Sequence, residues 1–143
     1  MRKFRYVYEP DGLDEEGIKI PDIPVIYLIL ETSRGRARGP AVLDTGFDGG
    51  IYPNIQVVRI LEGIEPLTLK RLEHPIYGYV ECEVYKAKAF LSTPNFSETT
   101  SIGEVKIYVP TEPEYLSDEV LVGREILNNL KIELDGRYAT IKL

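Results

Sequence analysis

Apolar positions along the chain come in short blocks or alternate with polar ones, and nearly every block is bounded by Gly, Pro, Asn or Asp. Short strands punctuated by turn residues are the pattern of an all-β barrel or sandwich, with helix a minor element. The run "IPVIYLILE" (Ile23 to Glu31) reads as a buried strand, "TSRGR" as a turn, and "ARGPAVLD" as a return strand that ends on Asp44. After it "GGIYPNIQ" interrupts regular structure, "VVRILEG" reads as a short helix stopped at Gly63, and "IEPLTLKRLE" returns to strand. "YVECEVYKAKAFL" alternates cleanly, with Val80, Cys82 and Val84 on one face and Tyr79, Glu81, Glu83 and Tyr85 on the other, so Cys82 is expected to point into the core.

The polar stretch Ser92 to Gly103 is expected to be a loop or hairpin tip, followed by the strand "EVKIYV" and a Pro-bounded link. "VLVGREILNNLKIELDGRYATIKL" then predicts an apolar strand ending at Gly123, a short helix over "REILNNL", and a hairpin whose Asp135-Gly136 turn joins "KIEL" to "RYATIKL". Neither a repeat nor a linker breaks the pattern. A chain of 143 residues is about the size of one ordinary domain, so residues 1–143 are expected to form one unit around one core.

Composition narrows the classes. No apolar run approaches the ~20 residues of a membrane span, and the N-terminus "MRKFRYVYEPDG" lacks the apolar core of a secretory signal, so no membrane partner and a cytoplasmic location are expected. A net charge of -6 argues against nucleic acid as the partner, because phosphate binding needs clustered Lys and Arg. Arg34, Arg36 and Arg38 form a local basic run of the kind that usually lies on a solvated hairpin. Lys, Glu, Arg and Ile are plentiful while Gln56 is the sole glutamine, a bias seen in heat-adapted proteins.

Few residues can carry chemistry. Cys82 is the single cysteine, which excludes an intrachain disulfide or thiolate cluster, and His74 is the single histidine. With Cys82 expected inward, a Cys-His nucleophile pair is not supported, nor is a Ser-His-Asp triad. "DTGFDG" fails as a calcium loop, since its third position is Gly46 and its twelfth Ile55. Gly46, Gly49 and Gly50 do not fit a phosphate-binding spacing, and the sequon Asn95-Phe96-Ser97 is idle without a secretory signal. No metal and no cofactor is expected.

Asp44 remains. A carboxylate at the end of an apolar strand loses hydration unless it is hydrogen-bonded or shares a proton, so it is either a satisfied structural acid or a tuned catalytic one. Here the sequence resembles the retropepsin-like aspartic peptidases, the single-domain relatives of the retroviral proteases. "IPVIYLILETSRGRARGPAVLDTGFDGGIYP" reproduces their strand, hairpin, strand and Asp-Thr-Gly turn, and "EVLVGREIL" is similar to their second signature, an apolar triplet before Gly-Arg and a helix. The resemblance runs from about Ile23 to Leu143.

That resemblance implies a closed retropepsin-like β-barrel with one short C-terminal helix, and an endopeptidase activity on polypeptide substrates. By it Asp44 is the catalytic acid, with Thr45 and Gly46 completing its turn. Asp48 would pair with Arg124, and Asp48 and Gly49 would touch substrate backbone. A hairpin flap would close over the substrate, with Ile76, Tyr77 and Gly78 at its tip, and Leu121 would line an apolar side-chain pocket. A chain with one Asp-Thr-Gly supplies half of a two-carboxylate site, so the implied partner is a second copy, related by a two-fold axis. The "RYATIKL" end and "KFRYVY" start are expected to pair as strands across that interface. Two other readings stand beside this one: a dimeric module of the same fold without turnover, and a small-barrel subunit in which Asp44 only caps a turn.

Overall fold

A computed structural model describes residues 2–74 and 78–143. Ten strands follow one another as β1 (Lys3–Val7), β2 (Val25–Thr32), β3 (Gly35–Leu43), β4 (Ile51–Tyr52), β5 (Thr68–His74), β6 (Gly78–Ser92), β7 (Thr99–Pro110), β8 (Val120–Val122), β9 (Lys131–Leu134) and β10 (Tyr138–Lys142). Among the described residues helix is confined to α1 (Ile55–Arg59), α2 (Arg124–Leu127) and a 3-10 turn at Pro113–Tyr115. α2 is the expected short C-terminal helix, and α1 overlaps the short helix read over "VVRILEG", beginning two residues earlier. The first is fixed by Asn54, whose side-chain oxygen accepts from the Val57 amide at 3.1 Å and so caps its N-terminus.

Six strands close a barrel in the order β2-β3-β8-β4-β7-β6, with β6 returning to pair with β2. Closure depends on the length of β6. Its first half pairs with β5 through Leu72↔Val80 and its second half with β2 through Leu30↔Ala89, while β7 runs along its other edge. Its side chains alternate, and the buried face switches midway: Val80, Cys82 and Val84 pack into one cluster, and Ala87, Ala89 and Leu91, on the opposite face of the strand, into another. β2 is buried at five of its eight positions and exposed at none, which is why it reads as a continuous apolar run rather than an alternation.

Two apolar clusters result. The larger fills the barrel and reaches beneath the terminal strands, with Ile26, Ile107, Val122 and Ile141 all at 0% exposure. The smaller joins Leu72, Val80, Cys82 and Val84 of the β5–β6 hairpin to Tyr52 and Tyr108, with Phe47 and Leu121 packed against it. Each such side chain contributes roughly 1.5–3 kcal/mol on leaving water.

Three sequence expectations change. Half of Ser92 to Gly103 is strand, which extends the arms of the expected hairpin and leaves residues 93–98 as its tip. Thr99, Thr100 and Ser101 pair in the β6–β7 ladder without being buried, so no apolar alternation marks them. Ile51–Tyr52, expected to be irregular, forms the short strand β4 between β7 and β8. β10 lies between β1 and β9 of its own chain, in the order β1-β10-β9, so both of its edges are occupied within the chain.

Candidate active site

The strand β3 ends at Leu43, and Asp44 continues its parallel ladder by donating its amide to the Val122 carbonyl at 2.9 Å. The chain then turns sharply. Asp44 Oδ1 accepts from the Gly46 amide at 3.0 Å, and the Asp44 carbonyl accepts from the Phe47 amide at 3.2 Å. One carboxylate oxygen is thus pinned by its own loop, whereas Oδ2 takes no hydrogen bond among the described residues. Asp44 is half-buried, and Thr45, Gly46 and Asp48 are exposed.

The loop is held from below by the start of α2. Three successive amides, those of Gly123, Arg124 and Glu125, donate to the carbonyls of Gly50 at 2.7 Å, Phe47 at 2.9 Å and Gly49 at 3.1 Å. Glycine is dictated at both faces of this contact. A Cβ on Gly123 would meet the Phe47 carbonyl at 2.6 Å and the Gly49 carbonyl closer still, and one on Gly50 would meet the Lys106 carbonyl at 2.6 Å. Gly49 is buried, with the Phe47 and Tyr108 rings where its side chain would be. The two sequence signatures are therefore one structural unit.

Three aromatic residues that sequence reasoning missed complete it. Phe47 packs edge-on against Tyr52 at 5.9 Å and Tyr108 at 6.1 Å, which ties the Asp44 loop to the smaller core cluster. Tyr108 is buried and donates its hydroxyl to Glu125 Oε2 at 2.7 Å. Burial first, and then the Glu125 and Asp48 carboxylates, raises the Tyr108 pKa well above the usual tyrosine range. The Tyr52 hydroxyl donates to the Tyr115 carbonyl at 2.5 Å. Only Phe47 left a trace in the sequence, as a large apolar residue inside a glycine-rich turn.

Asp48 and Arg124 form no ion pair with each other, and this corrects the expected bridge. The ion pairs among the described residues are Lys19–Asp22, Arg36–Glu31 and Lys142–Glu133. Both side chains are exposed, and the Arg124 backbone, not its guanidinium, makes the bond to the loop. Solvated charges gain about 0–1 kcal/mol from pairing, too little to impose it.

Leu121 is half-buried beside Phe47, Tyr52 and Tyr108, on the side of the barrel that the β5–β6 hairpin covers. In that hairpin His74 pairs with Gly78. Ile76 and Tyr77 lie outside the described residues. Gly78 is exposed with φ +77, a conformation that glycine adopts without strain. Cys82 is at 0% exposure, and its burial raises the thiol pKa to about 11, so it is an inert core residue. Among the described residues no His, Cys, Asp and Glu side chains gather into a metal-ligand group, and no helix is long and apolar enough to cross a membrane.

Comparison with solved structures finds the same fold in a retropepsin-like aspartic protease from Rickettsia conorii, with a TM-score of 0.54 over 98% of this chain and 91% of that one, at 13% sequence identity. No protein-family model and no curated protein matches the sequence. At that identity the likeness bears on the fold, and the roles of individual residues rest on the geometry above.

Proposed function

On this retropepsin-like fold we propose an aspartic endopeptidase that acts as a homodimer, with one Asp44 from each chain at the two-fold axis. The observation that carries the reading is the state of Asp44: half-buried at a strand end, one oxygen fixed by Gly46, the other without a hydrogen-bond partner among the described residues. Two such carboxylates brought together cannot both ionise, so they share one proton. The ionised member draws a proton from water as it attacks the peptide carbonyl, and the protonated member supplies one to the oxyanion or leaving amine.

The remaining residues have supporting roles in this scheme. Thr45 and Gly46 hold the turn. A substrate polypeptide lies extended between the Asp44 turn and the β5–β6 hairpin, where strand-like backbone bonding supplies affinity. Leu121 takes an apolar substrate side chain, and exposed Asp48 and the Gly49 backbone lie along its path.

Cleavage of an unfolded protein by the wild-type chain and by Asp44→Asn, compared from acid to neutral pH, tests the proposal. Cleavage that disappears in the variant while the dimer persists supports it. Cleavage by neither form, from a dimer, would leave a module of the same fold without turnover.

A further inference from the structure

The wall of the barrel is open beside β3. Its ladder with β8 begins only at Ala41, and among the described residues no strand pairs with that edge of β3 over residues 35–40. Backbone alternation fixes which groups are left. The Leu43 amide donates to the Pro24 carbonyl on the β2 side and the Asp44 amide to the Val122 carbonyl on the β8 side, so the amides and carbonyls of Arg36 and Arg38 point to the open side, where no ladder receives them. An edge of this kind accepts an added strand.

A cavity of about 200 Å³ lies behind this edge. The residues of β3 that face the barrel interior there are small, Ala37, Gly39 and Ala41, and with Leu28, Leu30 and Val57 they leave apolar space; a Cβ on Gly39 would meet nothing within 4 Å. The mouth is acidic, with Glu9, Asp118 and Glu119 around it. Glu9 accepts from the Tyr27 hydroxyl at 2.7 Å, and Tyr27 pairs with Pro40, so Glu9 stands on the outer face of β3. Val120 pairs with Ala41 and packs on the core, which turns the preceding Glu119 to the same outer face. Desolvation first, and then the Asp11, Asp118 and Glu9 charges, raise the Glu119 pKa, as crowded carboxylates do. The arginines of the edge do not relieve them: Arg36 bonds Glu31 at 2.6 Å, and the Arg38 guanidinium lies 4.9 Å from the centre of the Phe96 ring.

Apolar space and acids thus lie on opposite faces of one open edge, and an extended chain presents its side chains to opposite faces in alternation. We propose that this gap receives an extended segment of a partner protein, which adds to β3 as a short strand with an apolar side chain in the cavity and lysine or arginine on either side of it against the acids. The residue opposite Gly39 sends its side chain inward, its two neighbours turn outward to Glu9 and Glu119, and Arg38 supplies the backbone donor and acceptor. A net charge of -6 on the chain favours a basic partner. Gly39 lies roughly 17 Å along the strand from Asp44, at about 3.3 Å per residue. The site is therefore distinct from the groove at Asp44 and does not depend on the peptidase reading.

Amide NMR of the full-length Asp44→Asn chain, titrated with a short capped peptide of alternating lysine and valine, tests this without reference to cleavage. Binding is expected to shift the Arg36 and Arg38 amides and to weaken with added salt. A peptide with glutamate in place of lysine, or serine in place of valine, should bind about tenfold more weakly. Glu119→Lys should cost about tenfold in affinity, since it turns an attraction into a repulsion. Arg38→Pro removes the outward amide from an edge position where proline is tolerated and should abolish binding, whereas Arg38→Ala should not. Absence of binding, equal affinity for the glutamate peptide, or binding indifferent to Arg38→Pro and Glu119→Lys would each overturn the proposal. Shifts confined to residues 44–49 would overturn it too, by placing the peptide in the groove at Asp44. Binding beside β3 by a chain whose wild type shows no proteolysis would remove the peptidase reading and leave this one intact, and proteolysis without such binding would do the reverse.

Discussion

The Tyr108 hydroxyl and the Glu125 carboxylate, 2.7 Å apart, join the strand β7 to the helix α2 directly beneath the Asp44 loop. The Tyr108 ring also fills the space where Gly49 lacks a side chain, so one residue supports the loop by packing and braces it by a charge-assisted bond. Tyr108→Phe keeps the ring and removes only the bond. A bond to a charged group contributes about 1.5–3 kcal/mol, and the exposure of Glu125 lowers the expectation to about 1 kcal/mol. Urea unfolding should show a lower midpoint with an unchanged slope, and equal midpoints would show that the bond contributes nothing.

Gly123 is constrained by backbone on two sides, which is a different kind of requirement from the freedom of a turn glycine. A methyl group there meets the carbonyls of Phe47 and Gly49, and neither can yield without breaking the bonds to the Arg124 and Glu125 amides. Gly123→Ala is expected to cost about 1–3 kcal/mol or more by overpacking and to displace the Asp44 turn. Loss of thermal stability should therefore accompany loss of any cleavage. A variant as stable as the parent would mean that the loop and α2 are less tightly joined than the structure shows.

Much of this was legible in sequence because local chemistry and tertiary demand agree. The inward parity of Cys82, the Asp135-Gly136 turn and the strand that ends on Asp44 follow from alternation and turn residues, and all three occur as read. What escaped prediction depends on neighbours distant in sequence. β4 is two residues long and exists because β7 and β8 flank it, so no period could reveal it. Whether a terminal strand pairs within its chain or with another leaves no mark on its sequence, since the ladder bonds are the same; here β10 found both partners at home. Asp48 and Arg124 could be named as charges, but solvent decides whether exposed charges meet.

Phe96 is the one described non-glycine residue with positive φ, at 60°, in the turn between β6 and β7. Its ring meets Tyr27 edge-on at 6.0 Å, and the Arg38 guanidinium lies 4.9 Å from the ring centre. A left-handed conformation costs a side-chain-bearing residue about 1–2 kcal/mol, and these contacts offset it. Phe96→Ala keeps the strain and loses the ring, whereas Phe96→Gly loses both. Both variants should be less stable than the parent, with the glycine form about 1 kcal/mol above the alanine form. The reverse order would show that the turn changes conformation once the ring is gone.

Asp135 sets the acid limit of the hairpin that carries β9. The amides of Arg137 and Tyr138 donate to its carboxylate and hold its pKa below the usual range, with the Arg5 and Arg137 charges adding to the effect. Because the folded value lies below the unfolded one, the stabilisation is present above the unfolded pKa of about 4 and disappears as pH falls through the folded value. Glu133, lowered by Lys142, acts in the same direction on the neighbouring strand. Acid should therefore loosen the β9–β10 hairpin. Asp135→Asn keeps an acceptor for both amides and removes the titration, so its melting temperature should fall less steeply than the wild type's as pH is lowered from neutrality. Parallel curves for the two proteins would place the acid sensitivity elsewhere in the chain.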